Sequence, residues 1–394
     1  MASSLRAKLN AMKSGAPAAA VRRPGGLVSY VHCAAMPKTL YSPASEALRR
    51  IGWNGRAFDV EQCLFLDTET TGLSGGAGTV AFLVGLGYIR NGQMTVEQFF
   101  MKDYSDEGDL LEQVRERMER FSCVVTFNGR AFDMPLLASR FVMNRMGSCP
   151  DLFNLDLLTP SRRAWKLRIE SCRLSDIEER ILSLRRDGDL PGSQVPERYF
   201  AFLKSGDMAL VEDIIRHNRQ DIISLGLLLD RLLQVYRSPE KQGCAQDLYS
   251  LGRALERQGE SAPARELYRL SAVPRRAVSA SGLRDKAVAG QANQRLYRLC
   301  LRAGDVNAAV DTLRQMIARR QMGILPHVEL AKIYEHRLHN PRRALEHTRA
   351  AISACTGSEM PDLRRREARL TDKIKRENDR KEGSRHGNSE PSSE

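Results

Sequence analysis

The sequence lacks any long apolar stretch. No run approaches the roughly 18 uninterrupted apolar residues of a membrane-spanning helix, so none is expected. The apolar run nearest the N-terminus, residues 27–36, is short and contains His32, which makes it a poor signal peptide. No Cys-x-x-Cys pair occurs, and the eight cysteines are scattered. This distribution argues against a disulfide scaffold or a zinc site, and it predicts free thiols in a reducing cytoplasm.

Acidic residues are also in short supply. The 48 Asp and Glu residues face 61 Lys and Arg residues, which leaves a net charge of +13. Such an excess indicates a polyanionic partner, with nucleic acid as the first candidate. The alternative is a charge that serves only solubility. The length of 394 residues suggests two domains, and the hydrophobic content of 42% is enough for real cores.

A phosphate-binding P-loop is missing as well. Residues 74–78 read Ser-Gly-Gly-Ala-Gly, but neither a Lys-Ser/Thr pair nor a helical pattern follows them. Residues 79–88 are apolar and β-prone instead, so the glycines predict a turn between strands. The later predicted elements are an Asn91-Gly92 hairpin turn, a strand over residues 94–101, a helix over 106–120, a strand over 123–127 and a helix from near Ala131. This order predicts an α/β fold with hairpins rather than a doubly wound one.

One apolar run ends abruptly in two carboxylates, in the sequence Cys63-Leu64-Phe65-Leu66-Asp67-Thr68-Glu69. The run predicts a buried strand, and the alternation of side chains along a strand places Asp67 and Glu69 on one face. Two adjacent carboxylates near an apolar core repel each other and lose hydration unless a cation neutralises them. The strand therefore predicts one wall of a divalent-metal site. The alternative is an ordinary strand end that runs into a polar turn.

Two later segments add residues of the same kind. Residues 127–135 read Phe-Asn-Gly-Arg-Ala-Phe-Asp-Met-Pro and place Asp133 just inside a helix that follows a strand. A long predicted helix carries His217 and Asp221 on one face, one turn apart. Nothing in the sequence pairs Asp151 or Asp156 with these motifs, so neither is expected to be a metal ligand.

From about residue 240 the pattern becomes one of helical repeats. Small residues recur at Ala264, Ala309 and Ala344, each after a Gly or Asn turn, at intervals of 45 and 35 residues (309−264 and 344−309). A basic insertion between residues 272 and 289 lengthens the first interval. A period near 34 predicts tetratricopeptide-like helix pairs over residues 240–372, with a generic helical bundle as the alternative. Composition predicts a disordered basic arm over residues 1–26 and a disordered tail over 375–394.

The three acidic motifs, in this order, resemble the DEDD exonucleases of the ribonuclease H-like superfamily. The resemblance is closest to the bacterial YprB-like group, in which such a domain precedes tetratricopeptide repeats. Residues 187–192 and 196–200 resemble that group too, and the whole resemblance covers roughly residues 55–235. It implies a ribonuclease H-like α/β domain over residues 27–236, including an N-terminal lead-in, followed by the all-α repeat domain.

The resemblance also implies the metal ligands and the general base. Asp67, Glu69, Asp133 and Asp221 would hold two Mg²⁺ or Mn²⁺ ions, which prefer hard oxygen ligands, and Asp67 would bridge them. His217 would take the proton from the attacking water. It lies four residues before Asp221 (221−217). A histidine base in this superfamily usually lies five residues before that Asp, and a tyrosine four residues before. A histidine on the helix surface is therefore the alternative for His217.

Substrate contacts and function follow from the same resemblance. Asn128 and Phe132 would bind substrate or order the turn at Asp133, with a core position as the alternative for Phe132, and Asn218 would bind near the scissile phosphate. The implied activity is 3′–5′ exonucleolytic hydrolysis of nucleic acid, with DNA favoured over RNA, in DNA repair. The repeats would bind a protein partner such as a helicase. A catalytically inactive nucleic-acid or protein-binding scaffold and a structure-specific endonuclease remain alternatives.

Overall fold

The computed structural model describes residues 19–22, 27–53, 57–72, 78–186, 190–273 and 282–386. The chain divides into two compact units, Met1–Lys241 and Gln242–Glu394. Several segments used above lie outside the described residues. They are the rest of the basic arm, most of the glycine-rich turn at 74–78, the start of the 187–192 motif, residues 274–281 of the basic insertion and the last eight residues of the tail.

The described residues of the first unit form a seven-stranded sheet. The strands are β1 (Ala19–Arg22), β2 (Val28–Ala35), β3 (Cys63–Thr70), β4 (Ala81–Arg90), β5 (Gln93–Phe100), β6 (Cys123–Thr126) and β7 (Phe153–Asp156). Their order across the sheet is β1-β2-β5-β4-β3-β6-β7. The neighbouring pairs β1–β2, β2–β5, β5–β4 and β4–β3 are antiparallel, whereas β3–β6 and β6–β7 are parallel. Because β3 and β6 run parallel, their carboxyl ends lie at the same edge of the sheet.

Helices follow or cover these strands. In the described part of the first unit they are α1 (Ser45–Ile51), α2 (Glu107–Met118), α3 (Asp133–Met143), α4 (Leu158–Trp165), α5 (Leu174–Ile177), α6 (Val195–Ser205) and α7 (Glu212–Arg237). A π-helical turn, Glu178–Leu182, directly follows α5. The helical spacing of apolar residues explains why α2 packs on the sheet, since Leu110, Leu111, Val114 and Met118 are each at most 1% exposed.

Helix α7 lies close against the sheet because β4 carries two glycines at alternate positions. A Cβ atom on Gly85 would overlap the side chain of Asn218, and one on Gly87 would overlap that of Ile222. Residues two apart on a strand share a face, and Asn218 and Ile222 are one helical turn apart, so the two pairs are in register. The two glycines therefore allow α7 to approach β3 and β4 closely.

The structure confirms the predicted strands and helices between residues 79 and 143 and adds three features. Strand β7 was not predicted, because four residues are too few to show a periodic pattern. Ala19–Arg22, within the arm predicted to be disordered, form β1 and pair with β2. Helix α14 (Met360–His386) continues into the predicted disordered tail. Its many Glu, Lys and Arg residues are good helix formers, which the compositional argument for disorder did not weigh.

The second unit is helical throughout its described residues. Its helices are α8 (Ala245–Arg257), α9 (Ser261–Ala272), α10 (Gly282–Arg302), α11 (Val306–Ala318), α12 (Leu325–His336), α13 (Pro341–Ala354) and α14. Consecutive helices pack against each other. The repeated alanines Ala264, Ala309 and Ala344 are all fully buried, as the small-residue pattern requires. Among the helices of the described residues, none combines the length and the apolar character needed to cross a membrane.

Candidate active site

Three residues on neighbouring strands form a row beneath α7. Asp67 on β3 lies opposite Gly85 on β4, which lies opposite Gln98 on β5. Asn218 packs over this row and donates from Nδ2 to Asp67 Oδ2 at 2.9 Å and to the Asp67 carbonyl oxygen at 3.2 Å. Its Oδ1 accepts from Gln98 Nε2 at 2.8 Å. Since Asn218 and Gln98 are fully buried, this network fixes the orientation of the Asp67 carboxylate.

Asp133 begins α3, directly after the loop that leaves β6. The Thr68 hydroxyl donates to Asp133 Oδ1 at 2.6 Å, which connects β3 to the start of α3. The loop itself is held by Asp156 at the end of β7, which accepts from the backbone N–H of Asn128 at 2.8 Å and of Arg130 at 3.2 Å. Asp156 therefore orders the loop that places Asp133 beside β3.

Asp221 completes the acidic group from α7 and is paired with a cation. The Arg186 guanidinium donates from Nη2 to Asp221 Oδ1 and from Nη1 to His217 Nδ1, the latter at 2.8 Å. Because arginine has no acceptor, a ring nitrogen of His217 accepts this bond; Nδ1 is the nearer one, and Nε2 lies 3.3 Å from the same Nη1 atom. The other ring nitrogen, Nε2, lies 3.4 Å from Asp221 Oδ2. His217 and Asp221 thus share a face of α7, as their spacing predicted.

The carboxylates perturb one another strongly. Burial raises the pKa of Asp67 well above its usual range, and repulsion from Asp221, Asp133 and Glu69 raises it further. Burial and the charges of Asp221 and Asp133 likewise raise the pKa of Glu69, which the guanidinium of Arg186 partly offsets. Burial raises the pKa of Asp133 to about 6, against the lowering effect of the Thr68 hydroxyl. The four predicted acids therefore lie close enough to repel each other.

The acids do not form a ready coordination shell as they are placed. Within the described ranges, no three His, Cys, Asp or Glu side chains are arranged to hold a metal ion. Their oxygens are engaged elsewhere: Asp67 by Asn218, Asp133 by Thr68, and Asp221 by Arg186. The donor set nevertheless fits divalent cations, because it consists of four carboxylates, which are hard oxygen ligands, and these lie close enough to repel one another. Such ions would have to replace Arg186 as the partner of Asp221.

The three predicted substrate residues have different surroundings. Asn218 is fully buried and supports Asp67, so it is not accessible to a substrate. Asn128 is partly buried and has left-handed backbone, with φ +66°, in the loop before Asp133. Phe132 is 54% exposed beside Asp133, which contradicts the core position considered for it. The helix that it precedes starts only at Asp133, so Phe132 is not held on the buried face of α3.

Five residues around the acids were missed by the sequence argument. They are Thr68, Gln98, Glu178, Arg186 and Ser224. Gln98 could have been found, since it is a polar residue among the apolar residues of β5 and faces Gly85. Arg186 could not, because it lies in an irregular segment with no periodicity to place it.

Residues 64–233 match the family model RNase_H_2 of the RNase H superfamily. The protein YprB of Bacillus subtilis (strain 168), named as uncharacterized, is 33% identical over 174 residues, which are 44% of this chain and 42% of that protein. The chain thus spans less than half the length of this relative.

The solved structures that are similar include that of the family B DNA polymerase from the hyperthermophilic archaeon Pyrobaculum calidifontis. It is 17% identical with a TM-score of 0.37, over 61% of this chain and 30% of that one. A likeness at this level does not bear on the function. The predicted fold class, an RNase H-like α/β domain followed by a helical region, is confirmed by the sheet and the family match. Together these findings support an RNase H-like family for the domain that carries the acidic residues, over residues 64–233.

Proposed function

We propose that the first unit is a metal-dependent nuclease of the DEDD type that removes nucleotides from the 3′ end of nucleic acid, with DNA favoured over RNA. The observation that carries this proposal is the convergence of Asp67, Glu69, Asp133 and Asp221. Burial raises the pKa of the first three, and repulsion from the neighbouring acids adds to this for Asp67 and Glu69. Buried carboxylates this close together are unfavourable as anions unless cations bind beside them. The overall charge of +13 suits a nucleic-acid substrate.

The proposed mechanism assigns a task to each side chain. The four acids would hold two Mg²⁺ or Mn²⁺ ions, and the chemistry that such ions would supply is activation of a water and stabilisation of the departing oxygen. Asn218 and Thr68 hold Asp67 and Asp133 in place through the hydrogen bonds described above. His217 accepts the proton of the attacking water once Arg186 releases its Nδ1 atom.

Degradation assays test this proposal. The substrates are single- and double-stranded DNA and RNA, each labelled at the 5′ end, with Mg²⁺ or Mn²⁺. Asp67→Ala and Asp221→Asn are expected to abolish hydrolysis while the circular dichroism spectrum is unchanged. Asp151→Asn is the matched control, because Asp151 is an exposed acid away from the site, and it should retain activity.

The products separate the proposed activity from its alternatives. A ladder of fragments shortened from the unlabelled 3′ end supports an exonuclease. A single internal cut would indicate a structure-specific endonuclease instead. Activity that survives both substitutions would show that the site is wrongly assigned, and tight binding without any hydrolysis would favour a scaffold.

For the second unit we propose tetratricopeptide-like helix pairs that bind a protein partner such as a helicase. The full burial of Ala264, Ala309 and Ala344 supports the repeat pattern. A cavity of about 600 Å³ lies between α9, α10 and α11, lined in part by Arg265, Arg269 and Arg319. Arg265→Glu is expected to weaken partner binding without reducing hydrolysis. Reduced hydrolysis would instead assign the cavity to substrate binding.

A further inference from the structure

Arg186 places its guanidinium among the carboxylates of the site. Its side chain is 11% exposed, and it pairs with Asp221, which the proposed function assigns as a metal ligand. The same guanidinium donates to His217, which is assigned as the base. It is also near enough to Glu69 to lower the pKa of that residue. One cation thus engages both a ligand and the base.

The carboxylate of Glu178 binds the Nε edge of the Arg186 guanidinium. Nε of Arg186 donates to Oε2 of Glu178, whose side chain is only 1% exposed. The other oxygen of Glu178 accepts from the Ser224 hydroxyl. Glu178 lies in the π-helical turn after α5, and Ser224 lies on α7 one turn after Gln220. The Nε edge of the guanidinium is therefore fixed, and its Nη edge is directed toward Asp221 and His217.

The pairing of Arg186 with Asp221 cannot coexist with divalent cations bound to the same carboxylate oxygen. A divalent ion carries more charge than a guanidinium and would repel it at this distance. Displacement from Asp221 does not require displacement from Glu178, because the two carboxylates contact different edges of the guanidinium. The Nη edge would then face the place where a substrate approaches the acids.

Phosphate is the anion that this edge suits. The planar fork of arginine matches two oxygens of a phosphate group and forms strong charge-assisted hydrogen bonds with it. A nucleic-acid phosphate must approach five carboxylates, counting Glu178 with the four acids, so a cation anchored beside them reduces the repulsion. Asn128 and Phe132, the other residues considered for substrate contact, carry no charge.

Resting on the proposed nuclease function, we propose that Arg186 is a phosphate-binding residue that occupies the cation position beside Asp221 until divalent ions bind. Glu178 keeps it anchored throughout and acts as a positioning residue. The proposal predicts opposite effects on two ligands, since loss of the guanidinium removes a competitor of the metal and a contact of the substrate.

Two binding measurements on the full chain test this. The first is calorimetric titration with Mn²⁺ alone. The second is binding of a single-stranded DNA with phosphorothioate linkages at its 3′ end, which slow hydrolysis, in the presence of Mn²⁺. Arg186→Gln is expected to bind Mn²⁺ about five-fold more tightly and the DNA about ten-fold more weakly, as for the loss of a charged contact. Arg180→Gln is the control, because Arg180 is exposed in the same turn as Glu178.

Arg186→Gln removes the cation that pairs with the buried Glu178 carboxylate, so this variant can fail to fold. In that case the double variant Glu178→Gln with Arg186→Gln, which also removes the buried charge, is measured instead. Unchanged or weaker Mn²⁺ binding by these variants would overturn the proposal that Arg186 and the metal compete for Asp221. Tighter Mn²⁺ binding with unchanged DNA binding would show that Arg186 only neutralises Asp221 in the absence of metal. This result would overturn the proposed contact between Arg186 and a phosphate. If the unsubstituted chain itself fails to bind Mn²⁺, the metal-dependent function fails first, and the competition with it.

Discussion

The side-chain amide of Asn218 donates a 2.9 Å hydrogen bond to the carboxylate of Asp67, which lies 151 residues earlier in the chain. Gln98 holds the other end of this amide and also donates to the carbonyl oxygen of Ile215. The position of a proposed metal ligand on β3 therefore depends on how closely α7 packs on the sheet. Substitutions in this contact should change both the stability of the first unit and its activity.

Replacing Asn218 by leucine tests the contact directly. The apolar side chain has a similar size but leaves Gln98 and Asp67 without their buried partner. We expect the free energy of unfolding to fall by about 1–3 kcal/mol and hydrolysis to be strongly reduced. Both tryptophans, Trp53 and Trp165, lie in the first unit, so tryptophan fluorescence during urea titration reports its unfolding. An unchanged unfolding curve would show that the network contributes nothing.

The matched control for this substitution lies on the exposed face of the same helix. The side chain of Arg216 is 51% exposed and pairs with Asp213, three residues earlier. Arg216→Ala is expected to change the free energy of unfolding by less than about 0.5 kcal/mol.

The close approach of α7 gives a second prediction at Gly85. The added methyl group in Gly85→Ala would overlap Asn218 Oδ1, which cannot move without breaking its bond to Gln98. We expect a loss of about 1–3 kcal/mol in the free energy of unfolding, as for other overpacked sites. Gly108→Ala is the control, because nothing lies within 4 Å of its added Cβ atom.

A double-mutant cycle shows whether the overlap itself is responsible. In the Asn218→Ala background the atoms that the new methyl group would meet are gone. Gly85→Ala should then cost much less than it does in the unsubstituted chain. Equal costs in both backgrounds would assign the effect to the strand and not to the helix contact.

The sequence contained enough local pattern to propose the four acids, whose role stays a prediction, but not enough to find the residues that hold them. Asp67 and Glu69 end an apolar strand, and Asp133 and Asp221 belong to motifs with clear helical context, so local patterns were enough to propose them. Their supporting residues depend on tertiary contacts. Asn218 looked like a substrate residue because its motif lies next to His217, whereas the closeness of α7 to Gly85 buries it.

Irregular backbone accounts for the rest of what sequence missed. Arg186 follows a π-helical turn and has no periodic neighbours, so nothing local indicated that it reaches Asp221. Phe132 has the spacing of a core residue of α3, but the helix begins one residue later and leaves it exposed. Boundaries of helices, unlike their existence, are poorly determined by sequence.

The raised pKa of Asp133 predicts how pH affects stability without metal. Because its pKa is about 6 in the folded chain against an ordinary 3.8, the folded state binds the proton more tightly. The stabilising contribution is full below about pH 4 and is lost as the pH rises through about 6. In EDTA, Asp133→Asn should match the unsubstituted chain at pH 4 and exceed its free energy of unfolding by up to about 3 kcal/mol at pH 8.

The comparison uses the difference between the two proteins at each pH, so titration of groups that Asp133 does not influence cancels. The charge of Asp133 also raises the pKa of Asp67 and Glu69, so its removal eases their ionisation and adds to the difference in the same direction. Urea titrations followed by tryptophan fluorescence supply the values. A difference that stays constant from pH 4 to pH 8 would mean that the Asp133 carboxyl is not desolvated in the folded chain.

Divalent metal should stabilise the folded chain at high pH, where ionisation of the buried acids without metal destabilises it. Ions that bind only the folded chain stabilise it by about 2.7 kcal/mol at a concentration 100-fold above the dissociation constant. We expect Mn²⁺ to raise the melting temperature at pH 8 and less so at pH 5, where protons compete for Asp67, Glu69 and Asp133. EDTA should reverse the rise, and Asp221→Asn should reduce it. The same rise in Asp221→Asn would remove Asp221 from the proposed ligands.

The exposed ring of Phe132 gives a prediction about substrate alone. An aromatic side chain that is 54% exposed beside a proposed active site can stack on a base, which is worth about 1–3 kcal/mol per base. Phe132→Ala should therefore weaken binding of single-stranded DNA by about 5- to 150-fold with an unchanged unfolding curve. Met143→Ala, equally exposed at the other end of α3, should leave binding unchanged. If Phe132→Ala lowers stability and spares affinity, the ring orders the turn before Asp133 and does not contact substrate.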